Sequence, residues 1–211
     1  MAVSVHGFNI LAHVGAGVAG LAVGAVALLA RKGGPTHRGY GRIFVAIAGL
    51  VLATAVAADV LLSPPAWLYP ATLSMAYPYF GSLRALALKD QAPRALDAAA
   101  ALVTLAISAA LYASLAGRPS GVPLVAPLGW VALIAIYDLS RPLYASIWAA
   151  RLRPLDHGLK MTSVFFAMAS AGAGNLFRGF QPWSQVGPSF VGIVVMLVLA
   201  GSGRGRSGAT P

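Results

Sequence analysis

The sequence predicts an all-α integral membrane protein, a bundle of about seven transmembrane helices with its N-terminus outside and its C-terminus inside. Three observations lead there: the composition, the length of the apolar runs and the placement of the basic residues. Of the 211 residues, 58% are hydrophobic and only 9% are charged, against about 25% charged in soluble domains. So few charges cannot cover a water-facing surface, so the apolar excess is expected to face lipid. The apolar stretches lack the alternation of a membrane β-barrel. They run for roughly the ~20 residues that carry a helix across the hydrocarbon core.

The first expected span covers residues 8–30 and stops at Arg31-Lys32-Gly33-Gly34-Pro35. No basic region precedes it and it is too long for a signal-peptide core, so it reads as a retained helix. The second covers 43–62 and ends at Ser63-Pro64-Pro65. The third, 67–88, contains Pro70 and Pro78 and closes at Lys89-Asp90. The fourth, 95–116, ends at Gly117-Arg118-Pro119, and the fifth, 124–150, is interrupted by Asp138 and Arg141-Pro142. The sixth and seventh cover 159–177 and 186–201. Together they form one transmembrane domain over residues 1–201, followed by a flexible cytoplasmic tail, 202–211.

The basic residues set the orientation. With the N-terminus outside, the inner side receives Arg31, Lys32, Arg38, Arg42, Arg84, Lys89, Arg94, Arg151, Arg153, Lys160, Arg204 and Arg206. The outer side keeps Arg118 and Arg178. This is the positive-inside pattern, and it holds only for an odd number of spans. The formal net charge of +10 would suggest nucleic acid in a soluble protein. Here it is read as topogenic, with anionic head groups on the cytoplasmic face as its partners and no nucleic acid.

Small residues suggest the packing. Ala16, Gly20 and Gly24 recur at four-residue spacing in the first span, and Ser170 and Gly174 repeat that spacing in the sixth. Such ridges let helix backbones approach closely in lipid. The two halves show no repeat of the kind inverted transporters carry.

Ionisable groups inside a membrane are costly, so each is a candidate site. His13 and Asp59 fall at similar depth beneath the outer surface on adjacent spans, where a His–Asp pair could relay protons. Asp138 and Arg141 are three residues apart and can pair along one face. Tyr137, Tyr144 and Trp148 follow on the same side. Tyr77 and Tyr79 flank Pro78 in the third span and need partners for their hydroxyls. Between helices 3 and 5, these residues would line a polar site for a small solute, a proton or a lipid-soluble molecule. The alternative is an ion pair that locks two helices together.

The inner stretch from Lys32 to Arg42 is read as a glycine-rich loop whose cations touch lipid phosphate. It lacks the GxxxxGK[ST] order of a nucleotide-phosphate loop. Cysteine is absent, which excludes disulfides and thiolate chemistry. Haem would need two facing ligands, and His37 with His157 offers matching depth only at loop edges. GxSxG, HExxH and HxxxH are all absent. No cofactor, metal site or catalytic set is therefore expected. The inner-face candidates are His37, Arg38, Arg84, Asp97 and His157.

His13-x-Gly15, Arg31-Lys32-Gly33, His37-Arg38 and Gly41-Arg42 resemble the opening of an uncharacterised family of small bacterial multi-pass membrane proteins, a domain of unknown function. Phe80 to Leu86, Leu96-Asp97, Asp138, His157 and Met161 extend the likeness, although relatives often have a glycine-arginine pair where this chain has Ser82-Leu83-Arg84. The resemblance implies a bacterial cytoplasmic membrane and about seven helices. It implies no activity.

The expected function is binding or transport of a small solute or proton, without enzymatic chemistry. A haem- or metal-binding redox protein and a lipid-modifying membrane enzyme are the alternatives. The architecture is compatible with a homo-oligomer or an unidentified membrane partner.

Overall fold

The structure, a computed structural model, describes residues 4–62, 64, 68–115 and 122–204. These residues form helices and connecting turns, with no strand among them. The long helices are α1 (Val5–Leu29), α2 (Pro35–Leu61), α3 (Tyr69–Ala87), α4 (Ala95–Leu115), α5 (Val122–Ser140), α7 (Arg153–Leu176) and α8 (Trp183–Arg204). One short turn, α6 (Ala145–Ile147), lies between α5 and α7. Among the described residues, α1, α2, α4 and α8 are long and apolar enough to cross a membrane. Their outward side chains are large and apolar; Val18 is 66% exposed and Leu197 67% exposed. Such surfaces suit lipid rather than water.

The chain falls into two compact units, Met1–Thr72 and Leu73–Pro211. In the first, α1 packs along α2. Ser4 opens α1 by accepting a hydrogen bond from the Gly7 amide at 3.1 Å, which satisfies one orphan donor of the first turn. Gly20, Gly24 and Ala27 are the buried positions of α1, and Phe44, Ala48 and Val51 those of α2. The small-residue face read from the sequence is thus a packing face. The turn between the helices holds Gly33 at φ +75°, a left-handed conformation that glycine adopts without steric cost.

The second span starts eight residues earlier than expected. Pro35, rather than Ile43, opens α2, because proline's fixed φ suits a first helical turn and its missing N–H has no partner to lose there. The predicted loop from Lys32 to Arg42 therefore shrinks to the turn before Pro35. His37, Arg38 and Arg42 ride on the first two turns of α2.

In the second unit, α4 packs against α5 and α7 against α8. Ser170 on α7 contacts Ser189 on α8, Oγ to Oγ at 2.8 Å. A Cβ at Gly174 would stand 3.1 Å from Gln185, and one at Gly192 would stand 2.7 Å from the Phe166 ring. Close approach of α7 and α8 therefore depends on glycine at both contacts. Tyr77, Ala101, Val131, Ile134 and Ala135 form one buried cluster from α3, α4 and α5. Ala85, Leu88 and Trp148 form another.

The fifth span is not one helix from 124 to 150. Pro142 has no N–H to continue the ladder, and α5 ends at Ser140. Arg141–Tyr144 forms a 3₁₀ turn, α6 follows, and Trp148–Leu152 winds as a π-helix. The sixth span begins at Arg153 rather than at 159, with Pro154 in its first turn. The seventh starts at Trp183 rather than 186, and its helix continues through Arg204, beyond the tail boundary expected at 202. Arg118, Arg206, the tail from residue 205 onward and the expected span boundaries at Ser63, Pro65, Trp67, Ala116, Gly117 and Pro119 lie outside the described residues.

Candidate functional site

The second unit buries four charged side chains against one another. Asp138 sits in the last turn of α5, Arg141 begins the 3₁₀ turn, and Asp156 and Lys160 lie one turn apart at the start of α7. Each is at most 3% exposed. Lys160 Nζ stands 2.6 Å from Asp138 Oδ1 and 2.8 Å from Asp156 Oδ1. Arg141 reaches Asp138 Oδ1 through Nε and Asp156 Oδ2 through Nη1, both at 3.2 Å. The four groups close a ring in which each cation bridges both carboxylates.

Neutral donors complete the carboxylates. The Tyr77 hydroxyl of α3 donates to Asp138 Oδ2 at 2.8 Å. Trp148 Nε1, at the start of the π-helix, donates to Asp156 Oδ2 at 3.1 Å. Every carboxylate oxygen thus has a partner. The Arg141 guanidinium lies 4.9 Å from the Trp148 ring centroid, and the Lys160 ammonium 5.6 Å from that of Tyr137, so the cations also meet aromatic faces. With two positive and two negative members, the formal charge of the ring is zero. That neutrality allows the cluster to stay ionised away from water, where a lone charge would be strongly disfavoured.

Backbone shape makes the ring fit. A Cβ at Gly81 on α3 would lie 3.2 Å from Cδ, Cε and Nζ of Lys160, so glycine leaves the lysine its channel. One residue on, Ser82 is fully buried. Its Oγ stands 2.7 Å from His157 Nδ1. Nearer the α3–α4 turn, Arg84 Nε and Nη2 hold the two oxygens of Asp97 at 2.9 and 3.0 Å. The Arg94 amide donates to Asp97 Oδ2 at 2.8 Å, which caps the start of α4.

The expected Asp138–Arg141 pair is therefore present but is half of a larger array. The expected site between helices 3 and 5 also requires α7. Tyr77 rather than Tyr79 reaches Asp138, and Tyr79 is partly buried on α3. Tyr137 joins through its ring. Lys160, counted among the inner topogenic cations, is instead fully enclosed. Asp156 and Lys160 were missed as a pair, although acid and base four residues apart on one helix are the signal for one.

The first unit does not join His13 to Asp59. His13 Nδ1 stands 2.9 Å from Thr54 Oγ1, and Asp59 bonds the Thr72 side chain. Thr54 Oγ1 also lies 3.0 Å from the Leu50 carbonyl and 2.8 Å from the Val51 carbonyl. Asn9 donates to the Thr54 carbonyl at 3.3 Å. His37 Nδ1 bonds the Ala27 carbonyl at 2.8 Å, and Arg38 is exposed. Lys32 donates to the Leu28 carbonyl, and burial pushes its ammonium below the usual lysine range. Among the described residues, no group of three His, Cys, Asp or Glu side chains is placed to hold a metal. Compared with protein-family models, with curated proteins and with solved structures, the chain gives no match.

Proposed function

We propose that this chain is a multi-pass protein of the bacterial cytoplasmic membrane that couples proton binding to transport through the Asp138–Arg141–Asp156–Lys160 ring. One observation carries the reading: two carboxylates share two cations in a closed, neutral, fully buried array. Protonating either carboxylate would leave the array with a net positive charge in a medium that penalises it. Relief comes when Lys160 or Arg141 leaves its place, so a proton on an aspartate moves a helix. The 3₁₀ and π turns between Arg141 and Leu152 supply backbone suited to that movement, since such irregular turns recur at functional sites and hinges. The proposal includes seven spans, N-out and C-in, with the cationic turn before α2 against anionic head groups. It assigns no enzymatic step.

The test is proton flux in proteoliposomes carrying a trapped pH-sensitive dye, under an imposed pH gradient. Wild-type vesicles should equilibrate faster than empty ones, and Asp138→Asn should abolish the excess in protein that still purifies as a single species. Flux equal to that of empty vesicles, or an Asp138→Asn protein as fast as wild type, would sink the proposal. Single cysteines at Ser4 and Ser207 test the orientation separately. Labelling of both from one side would contradict N-out and C-in.

A further inference from the structure

The ring is enclosed, and His157, its titratable neighbour on α7, is partly exposed. His157 and Lys160 are three residues apart on α7, so they lie on one face of that helix. Both abut the same step of α3: Lys160 passes Gly81, and His157 contacts Ser82. The contacts of His157 with Ser82 suit either charge state. A neutral ring accepts at Nδ1 from Ser82 Oγ at 2.7 Å. A charged ring donates from Nδ1 to Ser82 Oγ or to the Ser82 carbonyl at 3.3 Å. The serine proton then turns to the His157 carbonyl at 3.4 Å. Ser82 is fully enclosed, so the pair is not placed to attack a substrate.

From these contacts we infer that His157 is the pH-responsive gate of the ring, an inference that rests on the transport reading above. The charged groups on its own helix are Arg153, Asp156 and Lys160, α3 carries Arg84 two residues beyond the Ser82 contact, and Asp138 in the last turn of α5 and Arg141 in the 3₁₀ turn complete the array that Lys160 joins. Arg84 is held by Asp97, and Asp138 and Arg141 are held in the ring. An imidazolium at His157 adds a third cation beside a balanced array. It repels Lys160 on the same face of α7, and that repulsion loosens the Lys160 bridges. Acidification on the side that His157 faces therefore opens the ring, and neutral pH closes it.

The experiment is the dye-loaded flux assay repeated between pH about 5 and 8, the range in which imidazole changes charge. The proteins are wild type, His157→Gln, Ser82→Ala and Asp138→Asn. Wild-type flux should rise about fivefold or more toward the acidic end, the lower bound of ordinary coupling between sites. His157→Gln should stay at the low, neutral-pH rate throughout. Ser82→Ala, which keeps the imidazole and removes its hydroxyl partner, should retain the rise with a displaced midpoint. A His157→Gln protein with the wild-type rise would overturn the gate while leaving the ring as the transport element. Absence of wild-type flux at every pH would overturn the transport reading, and the gate with it.

Discussion

The first hairpin and the ring solve the same problem in opposite ways. Both lie in a chain that is 58% hydrophobic, and both must hold helices together. In α1 and α2, glycines and alanines bring the backbones close, and the few polar side chains turn to nearby hydroxyls and carbonyls. At α3, α5 and α7, four ionised side chains bind to one another, and the neighbouring backbone departs from regular helix. Close packing gives a contact with one favoured geometry. An ion-pair ring adds a contact whose geometry depends on charge, so only the second region offers a lever to a proton.

That difference can be broken experimentally, beginning at the ring. Lys160→Met should lose about 3–5 kcal/mol, the usual consequence of stranding a buried charge. Thermal unfolding in detergent would read it, and Lys160→Met combined with Asp138→Asn should be less damaging than Lys160→Met alone. If the double variant is simply the sum of the two, the charges are not coupled. Gly81→Ala should cost roughly 1–3 kcal/mol through overpacking against Lys160. It should also slow flux, whereas a purely local clash would lower stability and leave the rate untouched.

Smaller effects sharpen the contrast. Arg84→Lys replaces two parallel bonds to Asp97 by one and should cost about 1 kcal/mol, without altering flux. Thr54→Val in the hairpin should cost about 0.6 kcal/mol, the average measured for such bonds between membrane helices. A larger loss there, on the scale of Lys160→Met, would mean that the hairpin also depends on its polar groups.

The helices with uninterrupted apolar runs were legible in the sequence. Residues 8–30 and 95–116 correspond closely to α1 and α4, because nothing inside them competes with hydropathy. Pro35 carries two signals at once: the glycines before it favour a turn, and the proline itself favours the first turn of a helix. In the fifth span the interruption at Arg141-Pro142 is legible, whereas the 3₁₀ and π winding that follows it leaves no periodicity to read. In the site, Asp138 and Arg141 were visible by spacing within one element. Lys160 was not, because a cation near a span boundary looks the same whether it meets lipid head groups or a buried acid. Ser82 left no trace at all. A hydroxyl that matters only through its contact with another helix has no pattern along the chain.

If the proposed seven spans hold, the neutrality of the ring also constrains how the chain enters the bilayer during synthesis. The opening turns of α7 carry Arg153, Asp156, His157 and Lys160, and each charge held alone at the centre of a lipid-embedded helix costs about 2.5–3.5 kcal/mol. Asp138 and Arg141 can neutralise each other while they wait, whereas Asp156 and Lys160 gain full compensation only beside them. On the proposed seven-span arrangement, the start of α7 would insert in partnership with the α5 end already present, rather than as an independent apolar segment. A nascent chain cut before α7 would present Asp138 with one cation instead of two, so the second unit becomes electrically complete only once residue 160 has been made.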